Sequence, residues 1–471
     1  MRISHNDLHT FLRDRLYLDA EGNEDKIFTL DDPEPYLIIS VASDSENPLG
    51  YLVIDTLAPG ICSGGIRMAP DVTVEELIHL ARAMTLKFAF KNSFIGGAKG
   101  GIIFSGDASP HKKSEVLETY GQKLGPIMKT IYSPGGDIGV GPDEVVLMKK
   151  GAGLDFKKTH GSEKAGLCTA YGVFASARTL AKTREKDLSR CTIALEGYGN
   201  VGRPLARLLD RIGCRIVALS TICGGLYNSK GLDIGRLERL AEKWEDHAVE
   251  KYENAEKIDK ADLFTADVDV LIPGARPWSI HEHNAARIKA GAVVPAANIP
   301  VTRKAAQILQ EKGIIFIPDF VTTSGGILGG YLLNRGFKQE DVFAIMDKTY
   351  GLKITRLLEV ALAQNKSVED VAVQIAKSNF KRLRTFQAMR RNKIRYYIFL
   401  LKNEKSLEPM IHRVAAYLYL NLNKKYMRLK NLFKRPAIAD ALRYAADDTK
   451  YYPPASLGKK KDENIAKKFH F

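Results

Sequence analysis

The sequence predicts an α/β chain of two domains followed by a basic helical extension. Three observations carry this expectation. A strand, a glycine turn, a helix and a second strand follow one another between Cys191 and Ser220. The first 160 residues hold their own apolar runs and a stretch of helical spacing. The chain has 471 residues, 45% hydrophobic and 27% charged, enough for two or three domains with sizeable cores.

The N-terminal part opens with two apolar runs, Tyr36 to Val41 and Tyr51 to Ile54. A turn-like Asp44-Ser45-Glu46-Asn47-Pro48 separates them, which reads as a hairpin. Apolar residues from Val74 to Asn92 recur at helical spacing, and Thr73 with Glu76 forms a capping-box pattern at the start. Lys87 is then expected on this helix. Lys99 is expected in a loop after it, inside the cluster Gly96-Gly97-Ala98-Lys99-Gly100-Gly101. Two lysines twelve residues apart, one among four glycines, suggest backbone and ammonium groups held against a small polar ligand.

The polar span 182–187 reads as a junction between domains. After it, Cys191 to Glu196 reads as a strand, Gly197-Tyr198-Gly199-Asn200-Val201-Gly202 as a turn, and the residues to Ile212 as an amphipathic helix. Arg215 to Ser220 is the next strand. In this context the glycines permit a tight turn and close approach of a dinucleotide pyrophosphate to the helix N-terminus. Val268 to Pro273, Ala292 to Pro295 and Gly313 to Asp319 read as further strands of one doubly wound sheet.

Five cysteines show no CxxC pair and read as free thiols in a reducing compartment. No metal-ligand spacing is recognised. The start of the chain lacks an apolar signal core, and no apolar run approaches the roughly 20 residues of a membrane span. The expected location is cytoplasmic. The net charge is +15, and residues 392–471 carry 18 Lys and Arg against 7 Asp and Glu, so most of the excess lies in the tail. The tail interleaves tyrosines with basic residues, and Arg413 to Leu432 has an amphipathic pattern. Nucleic acid, an anionic membrane surface or an acidic partner are open readings of it. A packing or oligomerisation element with a solvated basic face is preferred.

These pieces, in this order, resemble the glutamate/leucine/phenylalanine/valine dehydrogenase superfamily from about residue 35 to about residue 390. Gly64-Gly65-Ile66-Arg67 resembles its GG-x-R motif, and Met84-Thr85-Leu86-Lys87 its MT-x-K. Gly96 to Gly101 resembles the GG-x-K-GG segment, and Ser133 to Gly139 the segment that holds an aspartate, here Asp137. Thr169-Ala170-Tyr171-Gly172-Val173 is similar to the leucine branch, Gly197 to Gly202 matches GxGNVG, and Ala297-Asn298 with Ser324-Gly325-Gly326 echo the AN and AGG motifs.

The resemblance implies a two-domain amino-acid dehydrogenase architecture. Residues 1–160 would form the α/β substrate-binding and oligomerisation domain, rejoined by helices in 325–391. Residues 161–324 would form the Rossmann dinucleotide-binding domain, and 392–471 the basic helical extension. The implied reaction is reversible NAD(P)-dependent oxidative deamination of an L-amino acid to a 2-oxo acid and ammonia. Lys99 would activate water, a role that needs the neutral amine. Asp137 would move protons at nitrogen, and Lys87 would anchor the α-carboxylate.

The implied substrate pocket takes in Gly65, Met84, Ser63, Gly135, Ile327 and Gly330. The cofactor site takes in Thr169, Gly197, Tyr198, Gly199, Asn200, Val201, Gly202, Thr221 and Asn298. In glutamate enzymes a lysine stands at the position of Ser63 and a serine at that of Gly330. Losing both removes the reason to bury a second carboxylate. Together with Gly135 they imply a wide, apolar pocket for leucine, phenylalanine or tryptophan. Ser220-Thr221 ends the second Rossmann strand without the acid that would bind a ribose 2′-hydroxyl, and residues 222–228 hold no arginine. NAD is preferred and NADP stays open. A homo-oligomer is expected. The alternatives are a glutamate dehydrogenase with an atypical distal-carboxylate site, or a catalytically silent cofactor-binding regulatory or scaffold protein.

Overall fold

A computed structural model describes residues 34–42, 48–105, 109–156, 161 and 164–391. The expected helix within the basic extension lies outside the described residues.

The expected hairpin forms. Strand β1 (Leu37–Val41) pairs antiparallel with β2 (Gly50–Ile54). Strands β3 (Cys62–Ala69), β4 (Gly96–Ile103) and β5 (Tyr132–Gly136) complete a five-stranded sheet of order β1-β2-β4-β3-β5. β2 runs antiparallel to β4, whereas β3 lies parallel to both β4 and β5.

Lys99 is therefore not in a loop. It sits in the middle of β4, opposite Val53 of β2. The glycines around it serve packing. A Cβ at Gly97 would lie 2.1 Å from the Ala81 carbonyl oxygen and 2.4 Å from the Thr85 nitrogen, so only glycine lets β4 lie flush against the following element. That element is helix α1 (Val74–Phe90). Its cap is half of the expected box. The Thr73 hydroxyl accepts from the Glu76 backbone N–H, but the Glu76 carboxylate turns away to Arg67. Helices α2 (Pro110–Lys123) and α3 (Pro142–Gly151) cover the sheet and bury Leu117, Tyr120, Val145 and Met148 in its core.

The second sheet has seven strands. β6 (Thr192–Glu196), β7 (Arg215–Thr221), β10 (Val270–Ile272), β11 (Ala292–Val293) and β12 (Ile315–Phe316) are parallel, as the alternation predicts. Two antiparallel strands missed in the sequence, β8 (Gly224–Tyr227) and β9 (Glu256–Ile258), extend the edge beyond β7. The order is β12-β11-β10-β6-β7-β8-β9.

Helix α4 (Ala165–Thr183) precedes β6, and helix α5 (Gly202–Arg211) follows the glycine turn. The polar span 182–187 is not a domain junction. Val173, Ala177 and Leu180 of α4 share one core with Ile193, Leu195 and Leu205, so the span is a turn inside that unit. Helices α6 (Gly325–Asn334), α7 (Gln339–Gln364) and α8 (Val368–Arg391) return the chain to the first sheet. Phe380 and its apolar neighbours share a core with Ala89 and Phe90, and two polar side chains add to the anchor. Lys353 Nζ donates to the Phe90 carbonyl at 3.1 Å, and Asn379 Nδ2 donates to that of Ala89 at 3.2 Å. Lys353 satisfies a carbonyl in the last turn of α1, and Asn379 adds a second donor to the Ala89 carbonyl, which also accepts from Asn92 N–H at 3.0 Å.

Candidate active site

Three adjacent strands converge on one charge cluster. Lys99 lies on β4, Arg67 on the neighbouring β3, and Asp137 just past the end of β5. A tight turn sets Asp137: its N–H donates to the Val140 carbonyl at 3.1 Å, and Val140 N–H returns the bond at 2.9 Å. Gly139 closes this turn at φ +74°, where a Cβ would also stand 2.2 Å from the Met68 carbonyl oxygen. Gly65 lets the carboxylate approach the sheet, since a Cβ there would lie 3.1 Å from Asp137 Cβ.

Lys99 Nζ makes an ion pair with Asp137 Oδ2, and Arg67 Nε lies 3.4 Å from the same oxygen. Arg67 also pairs with Glu76 through Nη1. The two cations are buried, with Lys99 2% and Arg67 6% exposed, while the Asp137 side chain keeps 16% exposure. Burial opposes a charge on Asp137, but Lys99 and Arg67 overcome it and hold the carboxyl at about 2. Asp137 is thus a carboxylate at neutral pH and enters any reaction as a proton acceptor.

Lys87 faces this cluster from α1. It is 5% exposed, and its Nζ donates to Asn298 Oδ1 at 2.8 Å, across the cleft from the segment after β11. Burial lowers the Lys87 ammonium to about 8, against the pull of the Asp319 carboxylate, with Lys99 adding to the fall. Asp319 was not singled out in the sequence. It opens the short helix Asp319–Thr322 three residues after β12, is buried, and has one oxygen without a hydrogen-bond partner. Its only advance signal was its place at the end of an expected strand of the doubly wound sheet.

The other expected pocket residues divide. Ser63 spends its hydroxyl on the Ser133 carbonyl at 2.8 Å. At Gly135 a Cβ would meet nothing within 4 Å, so the space expected there exists. At Gly330 it does not open freely. A Cβ there would already touch the Gly161 carbonyl oxygen at 3.4 Å, so the missing side chain widens the pocket less than expected. Met84 on α1 and Ile327 on α6 are half-buried.

The glycine turn fits a dinucleotide. Gly197 has φ +88°, and a Cβ at Gly202 would stand 2.0 Å from the Gly197 carbonyl oxygen, so the turn folds tightly onto α5. Gly199, by contrast, borders open space. Asn200 packs its carbonyl against Gly166 at the start of α4. Tyr198 is buried, and Val201 is half-buried at the helix entry. Thr169, one turn into α4, donates to the Ala165 carbonyl at 2.9 Å and borders Gly326. Thr221 ends β7 with its hydroxyl on the Asp246 carbonyl at 2.7 Å. The acid that sequence reasoning missed here is Glu196, which ends β6 and accepts from Gly274 N–H at 3.2 Å and Ser279 Oγ at 3.1 Å. Burial pushes its carboxyl up. Among the described residues, no helix is long and apolar enough to cross a membrane.

Comparison with known proteins agrees with this arrangement. Residues 39–152 match the family model of the Glu/Leu/Phe/Val dehydrogenase dimerisation domain, and residues 161–333 match that of glutamate/leucine/phenylalanine/valine dehydrogenase. The glutamate dehydrogenase of Thermotoga maritima is 35% identical over 60% of this chain and 71% of its own length. The NAD-specific glutamate dehydrogenase of Staphylococcus aureus is 31% identical over 67% of this chain and 82% of its own. The structure of the hetero-hexameric glutamate dehydrogenase from Thermus thermophilus, in its leucine-bound form, superposes with a TM-score of 0.66. It is 25% identical and covers 83% of this chain and 98% of that one. The two matched regions together span more than half of the sequence, and the chain belongs to the glutamate/leucine/phenylalanine/valine dehydrogenase family.

Proposed function

We propose that this chain catalyses the NAD(P)-dependent oxidative deamination of a neutral, bulky L-amino acid. One observation carries the reading: the Lys99–Asp137 ion pair lies beside a second buried lysine, Lys87, which reaches across the cleft to Asn298. Overall, the amino acid, oxidised nicotinamide and water give the 2-oxo acid, ammonium, reduced nicotinamide and a proton. The nicotinamide, when bound by the Gly197–Gly202 turn and Asn298, supplies the acceptor for hydride from the α-carbon.

The residues supply the rest. Lys87, still mostly protonated at neutral pH, pairs with the α-carboxylate in place of its bond to Asn298. Asp137 accepts a proton from the substrate ammonium, which leaves the nitrogen lone pair free to form the iminium. Lys99, once its ammonium proton has been released to solvent, takes a proton from water as that water adds to the iminium carbon. Asp137 then returns a proton to nitrogen; the C–N bond breaks as the carbinolamine hydroxyl gives its proton to the Asp137 carboxylate and becomes the carbonyl, and the released ammonia carries that proton away as ammonium. The direct Lys99–Asp137 contact gives protons a path between the two groups.

The substrate follows from what the pocket lacks. Ser63 brings no charge and its hydroxyl is engaged, while Gly135 leaves room. A distal carboxylate would be buried without a partner at these positions. NAD is the preferred cofactor, since no arginine stands in residues 222–228 to receive a 2′-phosphate, and NADP stays open because the ribose-binding acid is absent too. Assembly through the first domain into a homo-oligomer completes the proposal. A second reading, glutamate dehydrogenase, is favoured by the names of the relatives, all at about a third identity or less. It requires a distal-carboxylate site built from other residues. Initial rates with glutamate, leucine, phenylalanine and tryptophan, each with NAD and NADP, separate the two. The proposal expects the large neutral substrates to exceed glutamate in kcat/KM. A preference for glutamate would keep the reaction and overturn the pocket argument.

A further inference from the structure

Away from this cleft, a cysteine, a histidine and a glutamate converge at the far edge of the seven-stranded sheet. We propose that Cys223, His247 and Glu250 form a zinc-binding site. Their ligand atoms all lie within 4.8 Å of one another, and His247 Nδ1 stands 3.1 Å from Glu250 Oε2.

The backbone presets this meeting. Cys223 lies in the turn between β7 and β8. His247 and Glu250 are three residues apart on the continuous helical run Glu245–Lys251, so they share one face. Thr221 links the two segments. Its hydroxyl donates to the Asp246 carbonyl at 2.7 Å and accepts from the Cys223 N–H at 3.2 Å.

Thiolate, imidazole and carboxylate together suit zinc rather than magnesium or calcium, which prefer oxygen ligands. Three protein ligands and a water make a four-coordinate site. Around a tetrahedral zinc, donors stand roughly 3.3–3.8 Å apart, so the side chains need to draw inward by about 1 Å. His247 and Glu250 are 62% and 48% exposed and free to do so. The local charge also favours a cation. The Glu250 and Asp246 carboxyl groups place negative charge beside Cys223, which a divalent ion bound to the thiolate would balance. The nearby cations are occupied: Lys260 donates to the Ile222 carbonyl at 3.0 Å, and Lys257 donates to the Val249 and Tyr252 carbonyls. The site has no signature along the chain, because Cys223 is far in sequence from the His247 and Glu250 pair. A bound ion would pin the β7–β8 turn to the 245–251 helical run beside Thr221.

Cobalt is the probe, because its thiolate complexes absorb in the near ultraviolet. The other four cysteines are buried, so the band reports Cys223. Titration of the full chain with Co²⁺ is expected to give a thiolate-to-metal band that saturates at one equivalent and is abolished by Zn²⁺. Cys223→Ser should remove the band, and His247→Ala should weaken Co²⁺ binding by roughly tenfold or more. This readout does not depend on dehydrogenase activity. No band in the wild type at saturating Co²⁺, or a band that survives Cys223→Ser, would overturn the proposal.

Discussion

Gly96–Gly101 and Gly197–Gly202 hold four and three glycines in six residues, yet the first is a buried strand and the second a turn at a helix entry. In the first, the added Cβ at Gly97 meets backbone on the neighbouring helix. In the second, the Cβ of Gly199 meets nothing. Glycine removes bulk in both places. On β4 the freed space is filled by the protein, which leaves Lys99 dry and tightly held. At the Rossmann turn it stays open to a ligand.

The largest effect that sharpens this contrast is on stability. Gly97→Ala should cost about 3 kcal/mol or more, because the methyl meets backbone that cannot move away. Urea denaturation reads it as a lower midpoint. A loss under 1 kcal/mol would show that β4 is not packing-limited.

The next effect follows from the charge that β4 and β5 hold together. The folded Asp137 carboxyl lies at about 2, below its unfolded value near 3.9. Its contribution is therefore complete above pH about 4 and lost as pH falls from there to about 2. Asp137→Asn should remove about 2 kcal/mol of acid-dependent stability, flattening the curve in that window. An unchanged acid slope would contradict the pairing.

Gly199→Ala is the counterpart of the first substitution. Stability should stay within about 0.5 kcal/mol, while dinucleotide binding weakens about tenfold by fluorescence titration. Equal binding by both proteins would mean that the open side of the turn is not used. The smallest effect is a pH dependence. With Lys87 at about 8, kcat/KM should decline above that pH as the lysine loses its proton, mainly through KM. A flat profile to pH 9.5 would remove Lys87 from carboxylate binding.

The same contrast explains what was legible in the sequence. The Rossmann unit was, because strand, turn, helix and strand are local and their period announces them. The edge strands β8 and β9 were not: they are four and three residues long and defined by their partners. The β4 segment was misread because glycine density signals loops, whereas only the packing of α1 against the strand shows why a sheet needs it. In the site, Lys87, Lys99 and Asp137 were visible through motifs. Their pairing was not, because contact between Lys99 on β4 and Asp137 beyond β5 depends on strand order rather than on spacing. Glu76 shows the same limit. Its sequence position suggests a helix cap, and tertiary contact assigns it to Arg67 instead.

The most direct test of the account is nicotinamide reduction by wild type and Lys99→Ala on the best amino-acid substrate, with folding checked by circular dichroism. Loss of the lysine should lower kcat by about 10²–10⁴-fold while the protein stays folded and still binds dinucleotide. A folded Lys99→Ala protein with wild-type turnover would contradict it.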